Sequence, residues 1–201
     1  MSALWIGLLV ALAALAVWGA WLMVGRSREV VSEVKILNSE GKAGTALVVY
    51  HPGKSDFQHR VFAGFVEGLV FNGWRVEMTT PSPQTPVDLA GYDLLVLGGG
   101  TYGFKPNQPI QTYVRRLGDL GGKPTVTIIT ALGMGERSTR IMEQLVSQAN
   151  GNLVKALVLY KARPNDDENF VDGKQNRELA VEMATQAAKE IGPPAALALA
   201  G

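Results

Sequence analysis

Between Thr45 and Ile191 the chain alternates short apolar runs with longer stretches whose apolar residues recur every three or four positions. The runs at 45–50, 74–79, 93–97, 125–130 and 153–160 are rich in Val, Leu and Ile and are bounded by Gly, Pro or Asn, the pattern of buried strands. The stretches at 56–72, 110–120, 138–150 and 175–191 predict helices. In the first of these, Phe57, Val61, Phe62, Phe65, Leu69 and Val70 form one apolar stripe. Only the link between the second and third strands, PSPQTPVDLAGY, has no room for a long helix, because its prolines interrupt one. Near-continuous apolar strands alternating with helices predict a parallel sheet covered on both faces, a doubly wound three-layer sandwich. In such sheets ligands bind outside the carboxyl ends of the strands, where strand order reverses.

The front of the chain reads differently. No charged residue occurs from Ala3 to Val24, and as a helix this run would be about 33 Å long against a bilayer core of about 30 Å. Trp5, Trp18 and Trp21 lie towards its ends, where indoles favour the membrane interface. A cleaved signal peptide is disfavoured: no Lys or Arg precedes the run, and it continues past the small-residue site at Ala14-Leu15-Ala16. The expectation is a transmembrane helix at 3–24. Arg26, Arg28 and Lys35 follow it, which predicts a single-pass protein with its domain on the cytoplasmic side. Residues 25–44 read as a juxtamembrane linker, 45–191 as the folded domain, and 192–201 as a C-terminal tail broken by Pro193 and Pro194.

Composition narrows the chemistry. A net charge of +1 makes no electrostatic case for nucleic acid. With no Cys, thiol nucleophiles, disulfides and cysteine-held metal centres are excluded, and His51 and His59 are too few for a histidine-rich metal site. One segment invites a phosphate. After the first strand come Gly53, Lys54 and Ser55, the end of a Walker A loop, but that motif needs a glycine at position 48, where Val48 continues the strand. The loop is too short to wrap a triphosphate. Ser55 and Gln58 have the spacing of a helix capping box. The same helix N-terminus, with Gly53, Lys54 and Ser55, suits a single phosphate monoester.

The loop after the third strand, LGGGTYGFKPNQPI at 97–110, adds the most specific signal. Together with the five-strand alternation and the compact first loop, it resembles the flavodoxin-like family, whose equivalent loop runs Gly-Ser-Pro-Thr-Tyr-x-Gly. Gly98, Thr101 and Tyr102 match, while Gly99 and Gly100 replace Ser-Pro. The resemblance spans about 45–191. It implies a flavodoxin-like three-layer α/β/α sandwich with a five-stranded parallel sheet of order 2-1-3-4-5 and non-covalent FMN. It also implies phosphate contacts from His51, Gly53, Lys54, Ser55, Asp56 and Phe57. Ring contacts would come from Gly99, Gly100, Thr101, Tyr102 and Gly103, and from Ala131, Leu132 and Gly133 after the fourth strand. Tyr102 offers a flat surface for stacking, and the glycines would let backbone N–H groups approach the ring.

The first loop departs from the family pattern [ST]-x-[ST]-G-x-[ST]. Its hydroxyl positions hold His51, Gly53 and Asp56, and Lys54 stands at the glycine, so only Ser55 supplies a hydroxyl. Asp56 repels a phosphate, and Lys54, aided by His59 or Arg60, offsets it. The implied function is a membrane-anchored FMN-binding protein in electron transfer, with a redox partner protein or a small acceptor such as a quinone. The same fold serves NAD(P)H oxidoreductases and pure carriers. The altered loop motivates an alternative: a domain that has lost FMN and acts as a membrane-tethered binding or assembly module. After the fifth strand a long acidic loop containing Phe170 could serve as a lid or partner contact.

Overall fold

Residues 46–50 of the first apolar run are all buried, so both faces of their strand must be covered. The computed structural model describes residues 3–27, 29–166 and 173–197. Arg28, Phe170 and the end of the tail at 198–201 lie outside the described residues. In chain order the elements are α1 (Ala3–Ser27), β1 (Lys35–Leu37), β2 (Thr45–Tyr50), α2 (Asp56–Phe71), β3 (Arg75–Thr79), β4 (Leu94–Tyr102) and β5 (Lys105–Pro106). They continue with α3 (Gln108–Leu117), β6 (Pro124–Ala131), α4 (Glu136–Gln148), β7 (Asn152–Tyr160), α5 (Gly173–Lys189) and α6 (Pro194–Leu197).

The sheet has seven strands in the order β1-β3-β2-β4-β6-β7, with β5 paired to β4 off this path. It is mixed: β3, β2, β4, β6 and β7 pair in parallel, while β1 runs antiparallel to β3 and β5 antiparallel to β4. The expectation of a purely parallel five-stranded sheet is therefore corrected. The two additional strands carry too little pattern to stand out in sequence. In β1, Lys35 and Ile36 are exposed, and β5 is two residues long and ends in Pro106, which an edge position tolerates. The stretch 25–44 thus contributes β1 to the sheet edge.

The expected membrane span is also corrected, and with it the placement of the domain on the cytoplasmic side of a membrane. Among the described residues, no helix is long and apolar enough to cross a membrane.

Alternation along the strands sends Ala46, Val48, Tyr50, Val76, Val96 and Ile128 to a core beneath α2 and α5. Leu47, Val49, Leu95, Leu97 and Ile129 go to a second core beneath α3 and α4. On the first face α2 and α5 approach closely because small residues line their contact. A Cβ on Gly68 would lie 2.4 Å from the Thr185 carbonyl oxygen and 2.7 Å from Ala188 Cβ, and one on Gly64 would lie 2.8 Å from Val181 Cγ1. Ala180, Ala184 and Ala188 supply the matching buried stripe on α5. At the end of α2, Asn72 donates its side-chain N–H groups to the carbonyls of Lys189 (2.7 Å) and Ile191 (3.0 Å), closing the C-terminus of α5.

Since the obstacle at Gly68 is backbone, it cannot rotate away. Gly68→Val is expected to cost about 1–3 kcal/mol through overpacking, read as a lower urea midpoint with an unchanged slope.

Candidate functional site

From β2 the chain crosses to β3 on one side, then returns to place β4 on the other, so strand order reverses between β2 and β4. Helices leaving adjacent strands in opposite directions open a crevice at the carboxyl edge. A cavity of about 440 Å³ occupies that position, within the size range of small-molecule sites. One wall is the start of α2 and the loop before it: Lys54, Ser55, Phe57 and Gln58. The end of β4 and the turn after it supply Gly100, Thr101, Tyr102 and Gly103. Thr130, Ala131 and Leu132 come from β6 and the loop beyond it, and Lys161 from the first residue past β7. Among the described residues, no Asp or Glu lines the cavity.

The first loop is held by its own atoms. His51 is 1 % exposed, and its Nδ1 accepts the Gly53 backbone N–H at 3.0 Å, while its own N–H donates to the Gly98 carbonyl. His51 therefore shapes the turn rather than the cavity wall. Gly53 has φ +68°, a left-handed conformation that disfavours a side chain. Ser55 takes the N-cap position in extended backbone, but its side chain makes no capping bond. The expected Ser55–Gln58 capping box is absent. Gln58 instead turns inward, 5 % exposed, with its amide between Gly53 and Gly100: Cβ atoms built there would fall 1.4 Å from Gln58 Oε1 and 1.8 Å from Gln58 Nε2.

Gly98, Gly99 and Gly100 belong to strand β4, paired with Ile128, Ile129 and Thr130 of β6, and not to a loop. Their smallness serves close packing. A Cβ on Gly98 would meet the Ile128 carbonyl oxygen at 1.9 Å, and one on Gly99 would meet Asn107 Oδ1 at 2.8 Å. The Gly100 N–H donates to the buried Asn107 Oδ1 at 2.7 Å. The chain then reverses at Gly103 (φ +55°) and Phe104 (φ +61°), a two-residue hairpin turn of the primed type, leaving Phe104 50 % exposed at the end of the hairpin. The Tyr102 hydroxyl accepts the Lys54 backbone N–H, tying β4 to the first loop, and burial pushes the phenol pKa up. Thr101 Oγ1 is buried without a hydrogen-bond partner.

Of the residues expected from sequence, Lys54, Ser55, Phe57, Gly100, Thr101, Tyr102, Gly103, Ala131 and Leu132 converge on the cavity. His51, Gly53 and Gly99 stand behind it as backbone supports. Asp56 is exposed at the start of α2, and Gly133 lies near Arg163 Cβ, 3.7 Å from where its own Cβ would be. Gln58, Thr130 and Lys161 were missed. Gln58 carried a local explanation as a cap, Thr130 looked like strand interior, and Lys161 opened a loop read as solvated. What places Lys161 is backbone pairing across two loops: its N–H donates to the Ala131 carbonyl at 2.8 Å, and those of Ala162 and Arg163 to the Leu132 carbonyl at 2.9 and 3.2 Å.

Behind this zipper, the Glu136 carboxylate receives the Gly135 N–H at 3.1 Å, the Tyr160 hydroxyl at 3.0 Å and the Arg163 guanidinium, which also lies over the Tyr160 ring. Backbone N–H at the start of α4, foremost its own, and then the Tyr160 hydroxyl hold the Glu136 pKa down at about 2. Asn165 and Asn176 complete the anchoring of this loop: Asn165 Oδ1 accepts the Tyr160 N–H at 2.7 Å, and Asn176 Oδ1 accepts the Asn165 N–H at 2.8 Å.

No family model and no curated protein matches the sequence. The fold, however, is similar to solved structures. The azoreductase AzrA superposes with a TM-score of 0.57 at 12 % identity, over 73 % of this chain and 100 % of that one. An NAD(P)H:quinone oxidoreductase from Methanothermobacter marburgensis gives 0.51 at 15 % identity, over 74 % and 99 %. A flavodoxin from the domain Archaea gives 0.50 at 15 % identity, over 73 % and 99 %. The fold is therefore flavodoxin-like, with an antiparallel strand added at one edge and a short hairpin at the cavity.

Because the Glu136 pKa is depressed in the folded chain, its contribution to stability is present above about pH 4.5 and is lost as pH falls towards about 2. Urea unfolding of the wild type should show that loss across this window, and Glu136→Gln should remove that part of the pH dependence. Identical pH profiles for the two proteins would reject the assignment.

Proposed function

We propose that this chain is an FMN-binding redox protein that exchanges electrons with a partner protein or a small acceptor such as a quinone. The observation that carries the reading is the cavity over the β2/β4 switch point, cationic at the first loop and aromatic at the end of β4. The similar structures, an NAD(P)H:quinone oxidoreductase, an azoreductase and a flavodoxin, support it.

The residues fit the group. The Thr101 hydroxyl, buried without a partner, is an orphan that a ligand's polar edge would satisfy. With no carboxylate among the described lining residues, the wall suits an anion. Lys54 and the Ser55 hydroxyl, at the N-terminus of α2, would hold the phosphate, with Gln58 as a further donor between the two glycine positions. Tyr102 and Leu132 would flank the ring, and Leu132 is 70 % exposed, so the cavity is open where a second reactant must approach. FMN, when bound, supplies the one- and two-electron chemistry, while these side chains orient it and set its surroundings.

A second reading, a binding or assembly module of this fold without FMN, is favoured by one observation. The Gln58 amide fills the space beside Gly53 and Gly100 with the protein's own atoms.

Titrating the purified chain with FMN and recording its visible spectrum separates the two. Uptake at micromolar concentration with a shifted flavin band is expected, and a spectrum identical to free FMN would leave the second reading standing. Lys54→Glu should weaken FMN by about tenfold or more, since a hydrogen bond to a charged group contributes about 1.5–3 kcal/mol.

A further inference from the structure

The cavity carries a second cation that the phosphate does not need. Lys54 stands on the loop after β2 and Lys161 on the loop after β7, with β4 and β6 between those strands. Three strand spacings at about 4.8 Å put these two backbone positions about 14 Å apart along the sheet edge. Thr101, Tyr102 and Ala131 line the cavity between them. The Lys161 backbone is pinned by its N–H to the Ala131 carbonyl, and the neighbouring Arg163 already pairs with Glu136. Lys161 is thus a charge positioned at the far end of the cavity from the α2 N-terminus.

Resting on the FMN reading above, we propose that Lys161 sets the redox potential of the bound cofactor by favouring its reduced, more negative form. With the phosphate at Lys54 and Ser55, a ring extending along the cavity towards β6 and β7 would approach Lys161. Two-electron reduction of that ring by an added reductant, with uptake of one proton, would leave it with one more net negative charge. A cation at that end binds the reduced form more tightly than the oxidised one. The potential rises in proportion to that difference, because only differential affinity for the two states shifts the equilibrium. A side chain holding both states equally would change affinity and leave the potential untouched.

The test uses the full chain loaded with FMN and titrated with dithionite against a reference dye, comparing wild type, Lys161→Gln and Lys161→Arg. The Gln variant is expected to lose about tenfold of the preference for reduced over oxidised FMN, a fall of about 30 mV for a two-electron couple. The Arg variant, which keeps the charge, should stay near the wild type. An unchanged potential in Lys161→Gln with FMN bound overturns the proposal alone, as does equal weakening of both oxidation states. Failure of the wild type to take up FMN removes the underlying reading and this proposal together.

Discussion

The middle of this sheet has apolar side chains on both faces, and everything else follows from the need to cover both. Leu47 and Val49 point to one core, Ala46 and Val48 to the other, so helices must cover both faces, α2 and α5 one and α3 and α4 the other. Parallel strands joined by such crossovers cannot all wind in one direction and still cover two faces. The chain therefore reverses its direction of growth once, between β2 and β4. That reversal, a consequence of hydrophobic burial, leaves the carboxyl edge open at one place and creates a cavity there.

Four segments far apart in sequence meet at the cavity, and polar backbone bonds fix each one. His51 holds Gly53, Asn107 holds Gly100, and the Lys54 N–H holds the Tyr102 hydroxyl. On the far side the carbonyls of Ala131 and Leu132 hold 161–163. These bonds satisfy loop groups that would otherwise be buried unpaired, and they position side chains on backbone rather than on flexible stems. The residues facing the cavity are left with little structural work, as the unpartnered Thr101 hydroxyl illustrates. Part of the support comes from residues outside the cavity wall, His51 and Asn107 among them. Thus His51 and Gly99, beside the site in sequence, stand behind it in space.

The glycine-rich stretch after Leu97 shows how one sequence feature can carry two meanings. Read locally, three glycines in a row signal a loop. In the fold they extend β4, because Gly98 lies too close to the Ile128 carbonyl and Gly99 too close to Asn107 for any side chain. A strand of glycines is weak by itself, and here pairing with β6 on one side and the packed His51 turn on the other supply what the side chains lack.

The alternation of apolar runs and amphipathic stretches determined the α/β class, the five parallel strands and the four helices that cover them, because burial on a face of period 2 or 3.6 leaves its mark on neighbouring residues. The Lys54-Ser55 corner and Thr101-Tyr102 were legible for a similar reason: each is a contiguous motif at the end of a strand. Edge strand β1, the β5 hairpin, the inward turn of Gln58 and the presence of Lys161 were decided only by tertiary structure. So was the fate of the membrane span expected at 3–24, since among the described residues no helix is long and apolar enough to cross a membrane. Lys35 depends on Met78, Gln58 on Gly100 and Lys161 on Ala131, partners distant in sequence, and no local pattern records which distant backbone a side chain will meet.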